Sequence, residues 1–341
     1  MSAGVIATED PSAIRACDAL IAEAIERGAS DIHLEPRRDC GVARLRIDGL
    51  LHDGATFESL LFERVVMRMK LLGGIDIAER RKPQDGRFNS GTFDIRVATM
   101  PVLNGERITA RLQANDTRMP AIEALGFAPS MLARFRFLIG SPQGLVIACG
   151  PTGSGKTTTM YAALAERLGR NESLCSIEDP VEIRTPGINQ VQIHEKAGLT
   201  FESAMRGLLR HDPDVVFIGE IRDRATVELA ASAALCGRLV VSTLHAPDAW
   251  TARMRMLDLG LSERLVDGAV TAYVSQRLLR RIASDGSFVG RVGAFELAEG
   301  GSLSPQSLAD PLHPLRLDAQ RHVREGRTSA DEVERVLGPC R

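Results

Sequence analysis

The stretch GPTGSGKT, Gly150 to Thr157, sets three glycines, a lysine and a hydroxyl at fixed spacing. Glycines at 150, 153 and 155 allow backbone angles that aim successive N–H groups inward, forming a nest for an anion. A helix starting at the end of such a loop adds the favourable end of its dipole. Lys156 is then placed to reach the β- and γ-phosphates of a nucleoside triphosphate, and the Thr157 hydroxyl to coordinate Mg²⁺. Pro151, Thr152, Ser154 and Thr158 complete the candidate binding stretch. The context agrees: the apolar run GLVIACG precedes the loop, and the Ala-rich helical segment TTTMYAALAERLG follows it.

Hydrolysis requires more than a phosphate loop. It needs a metal ligand and a group that orients or deprotonates water. Two acidic clusters stand at the ends of apolar runs: Glu178 and Asp179 in SIEDPVE, and Glu220 in DVVFIGEIRD. Ligands of open α/β sheets bind at the carboxyl ends of the strands, so these acids are the candidates. The strand after the loop's helix is expected beside the loop's own strand or one place further out. An acid at its end would then face the γ-phosphate from the side. Glu178 is therefore read as the water-activating base and Glu220 as the Mg²⁺-side acid, with the two roles exchangeable. Asp214 lies at the other end of its strand and is read as structural. His245 closes the run RLVVSTLH at the same edge and is a candidate γ-phosphate sensor.

The segment AERRKPQDGRF, residues 78–88, concentrates basic charge before the loop. Arg81, Arg87 and, on the following segment, Arg96 are read as an arginine clamp offered to the phosphates when two domains close, with Arg111 further off.

The elements that must position these residues fall into two patterns. In the first 113 residues, helical segments (residues 12–27 and FESLLFERVVMRMKLLGG) alternate with short strand-like pieces: DIHLEP, GVARLRIDG, GRFNSG, FDIRVATMP and ERITARLQ. Residues 114–130 carry turn residues with little periodicity and are read as a linker. From 131 to 341, continuous apolar runs alternate with helical segments, which predicts a parallel sheet covered on both faces. A terminal helix is expected near Ser329–Leu337, with Asp331 and Glu332 in its first turn.

Composition narrows the function classes. The chain of 341 residues carries 42 Lys and Arg against 44 Asp and Glu, a net charge of −2, so a general nucleic-acid coat is disfavoured. Aromatic residues at 4% leave little for base stacking. None of the six cysteines stands at metal-ligand spacing, so no zinc site is expected, and their scatter suits reduced thiols in a cytoplasm. No apolar run reaches membrane-spanning length and no secretory leader is read at the start.

The order of motifs from about residue 12 to 299 resembles the secretion ATPase superfamily: type II secretion ATPases, type IV pilus assembly ATPases and their DNA-uptake relatives. The residues that carry the resemblance are GASDIHLEP, RIDG, ERRKPQDGRF, IRVATMPVLNGERITARL, the Walker A loop GPTGSGKTTT and the acidic box IEDPVEI. They continue with GINQVQI, GLTFESAMRGLLRHDPDVVFIGEIRD, the histidine box STLHAPDA, QRLLRR and GRVGAFEL. The resemblance implies an α/β chain with a RecA-like P-loop NTPase core, preceded by a smaller α+β PAS-like domain. It implies ATP and Mg²⁺ as ligands, a ring-shaped homo-hexamer, and an inner-membrane platform protein as partner, with the protein cytoplasmic and peripheral to that membrane. It places Glu220 at the Walker B glutamate and Glu178 at the acidic-box glutamate.

Three departures stand out. The chain begins almost at the PAS-like domain. Between QRLLRR and GRVGAFEL only IASDGSFV stands, where many members carry two C-x-x-C pairs. Ala246-Pro247 follow the histidine where Thr-Asn is usual. Type II secretion, pilus assembly and DNA uptake stay open as the system served. A RecA-like nucleic-acid motor and a nucleotide-binding scaffold with little turnover are the other classes weighed, and no stable nucleic-acid partner is expected.

Overall fold

The computed structural model describes residues 10–114, 119–300, 303, 305, 306, 308 and 310–340. The chain divides into two compact units, Met1–Asp116 and Thr117–Arg341.

In the first unit, helix α1 (Pro11–Glu26) is capped by Asp10, whose side chain accepts from the Ser12 N–H, and Pro11 sits where a missing donor costs nothing. Strands β1 (Asp31–Pro36), β2 (Cys40–Ile47) and β3 (Leu50–Glu58) follow, then α2 (Ser59–Leu72), β4 (Gln84–Ser90), β5 (Phe93–Val102) and β6 (Gly105–Ala114). All six strands form one antiparallel sheet in the order β3-β2-β1-β6-β5-β4. Leu20, Ile21 and Ala24 of α1, and Phe62, Val65 and Met69 of α2, pack with Ile32, Leu34, Leu45, Val97 and Ile108. Strand alternation leaves the partners of those inward residues on the sheet's other face.

Strand β3 was not expected, and α2 begins at Ser59 rather than at Phe57. The reason is physical: β3 is an edge strand with a single buried residue, Phe57, so LLHDGATFE shows neither an apolar run nor clean alternation. Lys70 is fully buried on α2, where its ammonium donates to Glu106 at 2.8 Å and to the Glu79 carbonyl at 2.7 Å.

In the second unit, Ile122 and Phe127 are buried and Phe127 stacks on Phe295, so part of the stretch expected as linker belongs to this core. Helix α3 (Pro129–Ile139) precedes β7 (Gly144–Cys149), α4 (Lys156–Ala165), β8 (Leu174–Glu178), β9 (Asn189–Gln192), α5 (Phe201–Leu208), β10 (Val215–Ile218), α6 (Arg224–Leu235) and β11 (Leu239–Leu244). Then come α7 (Ala249–Asp258), α8 (Glu263–Ala269), β12 (Val270–Ile282), β13 (Phe288–Glu299), α9 (Pro314–Arg324) and α10 (Ala330–Leu337).

The sheet order is β13-β12-β7-β11-β10-β8-β9. Six strands are mutually parallel; β13 runs antiparallel to β12. A short turn joins β12 to β13, and only an antiparallel pair can be joined that way. Alternate residues of the central strands face opposite layers. Val146, Phe217 and Val241 pack with Phe135 and Tyr161, while Ile147, Val216 and Val240 pack with Met205, Val227 and Met256. Strand β8 lies three places from β7, with β11 and β10 between, not beside it or one further out. A helical crossover fixes handedness but not how many strands it skips.

Helices α9 and α10 close a smaller core on β12 and β13, with Leu315, Ala319, Val333 and Leu337 against Leu279, Val292 and Ala294. The terminal helix expected near Ser329–Leu337 is α10, and Ser329 caps it, its side chain accepting from the Glu332 N–H. Glu332 is buried there and accepts from Arg280 and Arg335. Burial pushes its carboxyl up, but the two guanidinium groups outweigh that and hold it at about 2, against an ordinary 4.5. A depressed carboxylate stabilises above its unfolded value and loses that contribution as pH falls toward the folded one. Glu332→Gln should therefore cost about 1–3 kcal/mol at pH 7, measured by denaturant unfolding, with the gap to wild type narrowing below pH 4.5.

Candidate functional site

The loop between β7 and α4 is built as its glycines require. Gly150, Gly153 and Gly155 have φ of +152°, +75° and +86°, angles that side chains with a Cβ resist. Lys156 opens α4 and folds back, donating its ammonium to the carbonyls of Gly150 and Pro151, both at 2.9 Å. Burial lowers its pKa first, and Arg277 acts in the same sense, while Glu220 and Glu182 act against them. The Ser154 hydroxyl is buried in the loop with no hydrogen-bond partner among the described residues. Positive-φ glycines, a helix start, a lysine and an unused buried hydroxyl fit the phosphates of a nucleotide.

Glu220 follows β10 and His245 follows β11, so neighbouring parallel strands deliver both to one edge. His245 Nε2 lies 3.2 Å from Glu220 Oε1, and Arg222 Nε donates to Glu220 Oε2 at 2.9 Å. Arg222 also lies 3.8 Å from Asp179. The negative charge of Glu220 reaches Lys156. Glu220 and His245 are thus in contact, at the same sheet edge as the loop that carries Lys156.

Glu178 is placed differently. Its side chain is turned into the protein and the residue is 2% exposed. Oε1 accepts from the Tyr161 hydroxyl, from Ser176 Oγ at 2.6 Å and from Gln190 Nε2 at 3.3 Å. Burial raises its pKa, and the hydrogen bonds of Ser176, Tyr161 and Gln190 pull it back. Tyr161 itself is raised, first by burial and then by the Glu178 charge. Since Tyr161 belongs to α4 and Gln190 to β9, this carboxylate ties the loop's helix to the outer strands. Glu182, four residues on, is exposed, and its charge reaches Lys156. The sequence reading does not single it out, although the last acid of IEDPVE is its signal.

The arginines lie in the first unit. Arg81 is 87% exposed at its side chain and pairs with Glu79 at 3.0 Å. Arg87 and Arg96 stand opposite each other on β4 and β5 and share the buried carboxylate of Asp94, at 2.6 and 3.7 Å. Arg96 in turn stands opposite Arg111, which stands opposite Asp31, opposite Arg46. Directly paired residues share a face, so one row across five strands reads Arg87, Arg96, Arg111, Asp31, Arg46. The sequence signal for the full row is Arg46 in ARLRID and Arg111 in ITARLQ, each inside a strand-like alternating segment. Among the described residues no group of His, Cys, Asp and Glu could hold a metal ion by protein ligands alone.

These placements make a stability prediction. Glu178→Ala strands the donors of Tyr161, Ser176 and Gln190 and the Glu182 N–H, and should cost about 1–3 kcal/mol in thermal or denaturant unfolding. Glu220→Ala, at the rim, should stay within about 0.5 kcal/mol of wild type.

A family model described as "Type II/IV secretion system protein" matches residues 7–335. The type II secretion system protein HxcR of Pseudomonas aeruginosa is 38% identical, over 95% of this chain and 77% of that protein. The type IV pilus assembly ATPase PilB of Thermus thermophilus is 43% identical over 77% of this chain but 30% of its own length. The type II secretion system protein E of Klebsiella pneumoniae is 41% identical over 80% of this chain and 56% of that protein. This chain therefore spans only part of the length of those relatives. Among solved structures, the ATPase DotB of Legionella pneumophila superposes with a TM-score of 0.69 at 20% identity, covering 93% of this chain and 94% of its own, which speaks for the fold. The pilus retraction motor PilT, solved with bound ADP, gives 0.64 at 26% identity, covering 92% and 95%. The fold is theirs: a RecA-like α/β core preceded by a smaller α+β unit.

Proposed function

The chain belongs to the type II/IV secretion system protein family, and from that membership and the convergence of Lys156, Glu220 and His245 we propose that it is a motor ATPase. It hydrolyses ATP to power assembly of a type II secretion pseudopilus or a type IV pilus-like filament. The observation that carries the proposal is the phosphate loop, with its positive-φ glycines, set beside an acid and a histidine at the carboxyl edge of the same sheet.

Residues 150–158 would hold the phosphates through backbone N–H groups, the Ser154 hydroxyl and Lys156, whose ammonium trades two carbonyls for phosphate oxygens. Thr157 and Glu220 would hold Mg²⁺, which supplies neutralisation of the charge that develops on phosphoryl transfer. His245, hydrogen-bonded to Glu220, reports the state of that edge. Glu182, an exposed carboxylate whose charge reaches Lys156, would orient water, and Glu178 positions the loop that carries it. Arg81, Arg87 and Arg96 would donate to the phosphates during turnover; in the structure Asp94 pairs with the last two.

The working form is a homo-hexamer at the cytoplasmic side of the inner membrane, coupled to a platform protein there. Among the described residues no helix is long and apolar enough to cross a membrane, so membrane association would pass through that partner.

Glu220→Gln should bind ATP about as wild type does and lose turnover by roughly 10²-fold or more; wild-type turnover in this variant would remove Glu220 from the chemistry. Arg87→Ala and Arg96→Ala should each lower turnover, by up to ~10³-fold on the arginine-finger precedent. Steady-state hydrolysis by the full chain reads both, and unchanged rates would return these arginines to a structural role on the sheet.

A further inference from the structure

We propose, on the strength of the nucleotide-binding assignment of the loop, that Gln276 is the positioning residue that sets the shape of the phosphate loop. Strand β12 pairs with β7 as far as Ser275, opposite Cys149, where β7 ends and the loop begins. Gln276 is the next residue, so it flanks the loop, and it is 2% exposed. Thr159, fully buried in α4, donates its hydroxyl to Gln276 Oε1 at 2.7 Å.

That bond fixes which way the amide faces. Its nitrogen is directed at the end of the loop: a Cβ built on Gly155 would stand 2.8 Å from Gln276 Nε2. A Cβ on Gly150 would stand 2.6 Å from the Gln276 carbonyl oxygen and 2.6 Å from the unpartnered Ser154 hydroxyl. Thr159 also gives its backbone N–H to the Gly155 carbonyl at 3.0 Å. One residue of β12 therefore lies against the first glycine through its backbone, against the last through its amide nitrogen, and against the helix through Thr159.

The consequence is chemical. A nest of N–H groups binds phosphate only when the groups converge within a fraction of an ångström, and the groups that fix such a shell lie behind it. The contacts of Gln276 are with the loop's backbone and with Thr159, so on this proposal it acts through the loop. Its loss should be felt as weaker nucleotide capture, not merely as a smaller folded fraction.

The test uses the full chain with Mg²⁺ and ATP, reading KM for ATP, kcat and the unfolding midpoint without nucleotide. Gln276→Leu should raise KM about tenfold or more while the chain remains folded. Thr159→Val should give the same shift, and the double variant no more than either alone, because both remove one bond. Thr159→Ser, which keeps the hydroxyl, should keep the wild-type KM. An unchanged KM in the folded Gln276→Leu and Thr159→Val variants, or shifts that multiply in the double, would overturn the proposal. Should Gln276→Leu not fold, the comparison of Thr159→Val with Thr159→Ser decides alone. Lys156→Ala separates the two levels. If it abolishes turnover, a wild-type KM in Gln276→Leu counts against Gln276 only; if it hydrolyses as wild type, the nucleotide assignment itself fails.

Discussion

A buried ammonium group needs oxygen acceptors, and Lys156 finds them in the carbonyls of Gly150 and Pro151, each at 2.9 Å. The loop between β7 and α4 that carries those carbonyls has positive φ at its three glycines. The same angles send N–H groups toward the space an anion would fill. Much of the second unit can be read as support for this arrangement. A fully buried strand anchors one end of the loop, a helix start anchors the other, and β12 runs on beside it. Burial alone would drive the lysine toward neutrality; the carboxylates of Glu220 and Glu182 act against that drift.

The parallel sheet then does the work of collection. Parallel strands end at one edge, so residues far apart in sequence arrive together without any local signal linking them. Glu220 and His245 meet because β10 and β11 are neighbours. Glu178 ends a strand at the same edge yet faces inward, and there it links α4 to β9 through Tyr161 and Gln190. Two acids at equivalent strand ends thus serve different purposes, one at the rim and one as an internal tie. In the first unit, strand pairing does for arginines what the parallel sheet does for acids, lining up Arg87, Arg96 and Arg111 across three strands.

The parts legible in the sequence are those with a local cause. Gly150, Gly153, Gly155 and Lys156 declare the loop by spacing, and strands buried on both faces read as continuous apolar runs. Strand β3 was not legible because an edge strand needs little apolar surface. The segments of β9, β12 and β13 stood out as motifs, but nothing local said that β13 reverses direction. Strand order was invisible as well, and with it the displacement of β8 from β7. Glu178 was chosen for its place at a strand end. Its burial depends on Tyr161 and Gln190, residues 17 before it and 12 after it, whose contact no periodicity announces. The full arginine row needed register, since alternation gives a face but not the partners on it.

The most direct measurement is steady-state release of inorganic phosphate from ATP by the purified full chain, with Mg²⁺ present and then removed by a chelator. Saturable hydrolysis that requires Mg²⁺ and disappears in Lys156→Ala is the predicted result. Saturable ATP binding without phosphate release under any of these conditions would contradict it, and would leave a nucleotide-responsive scaffold in place of a motor.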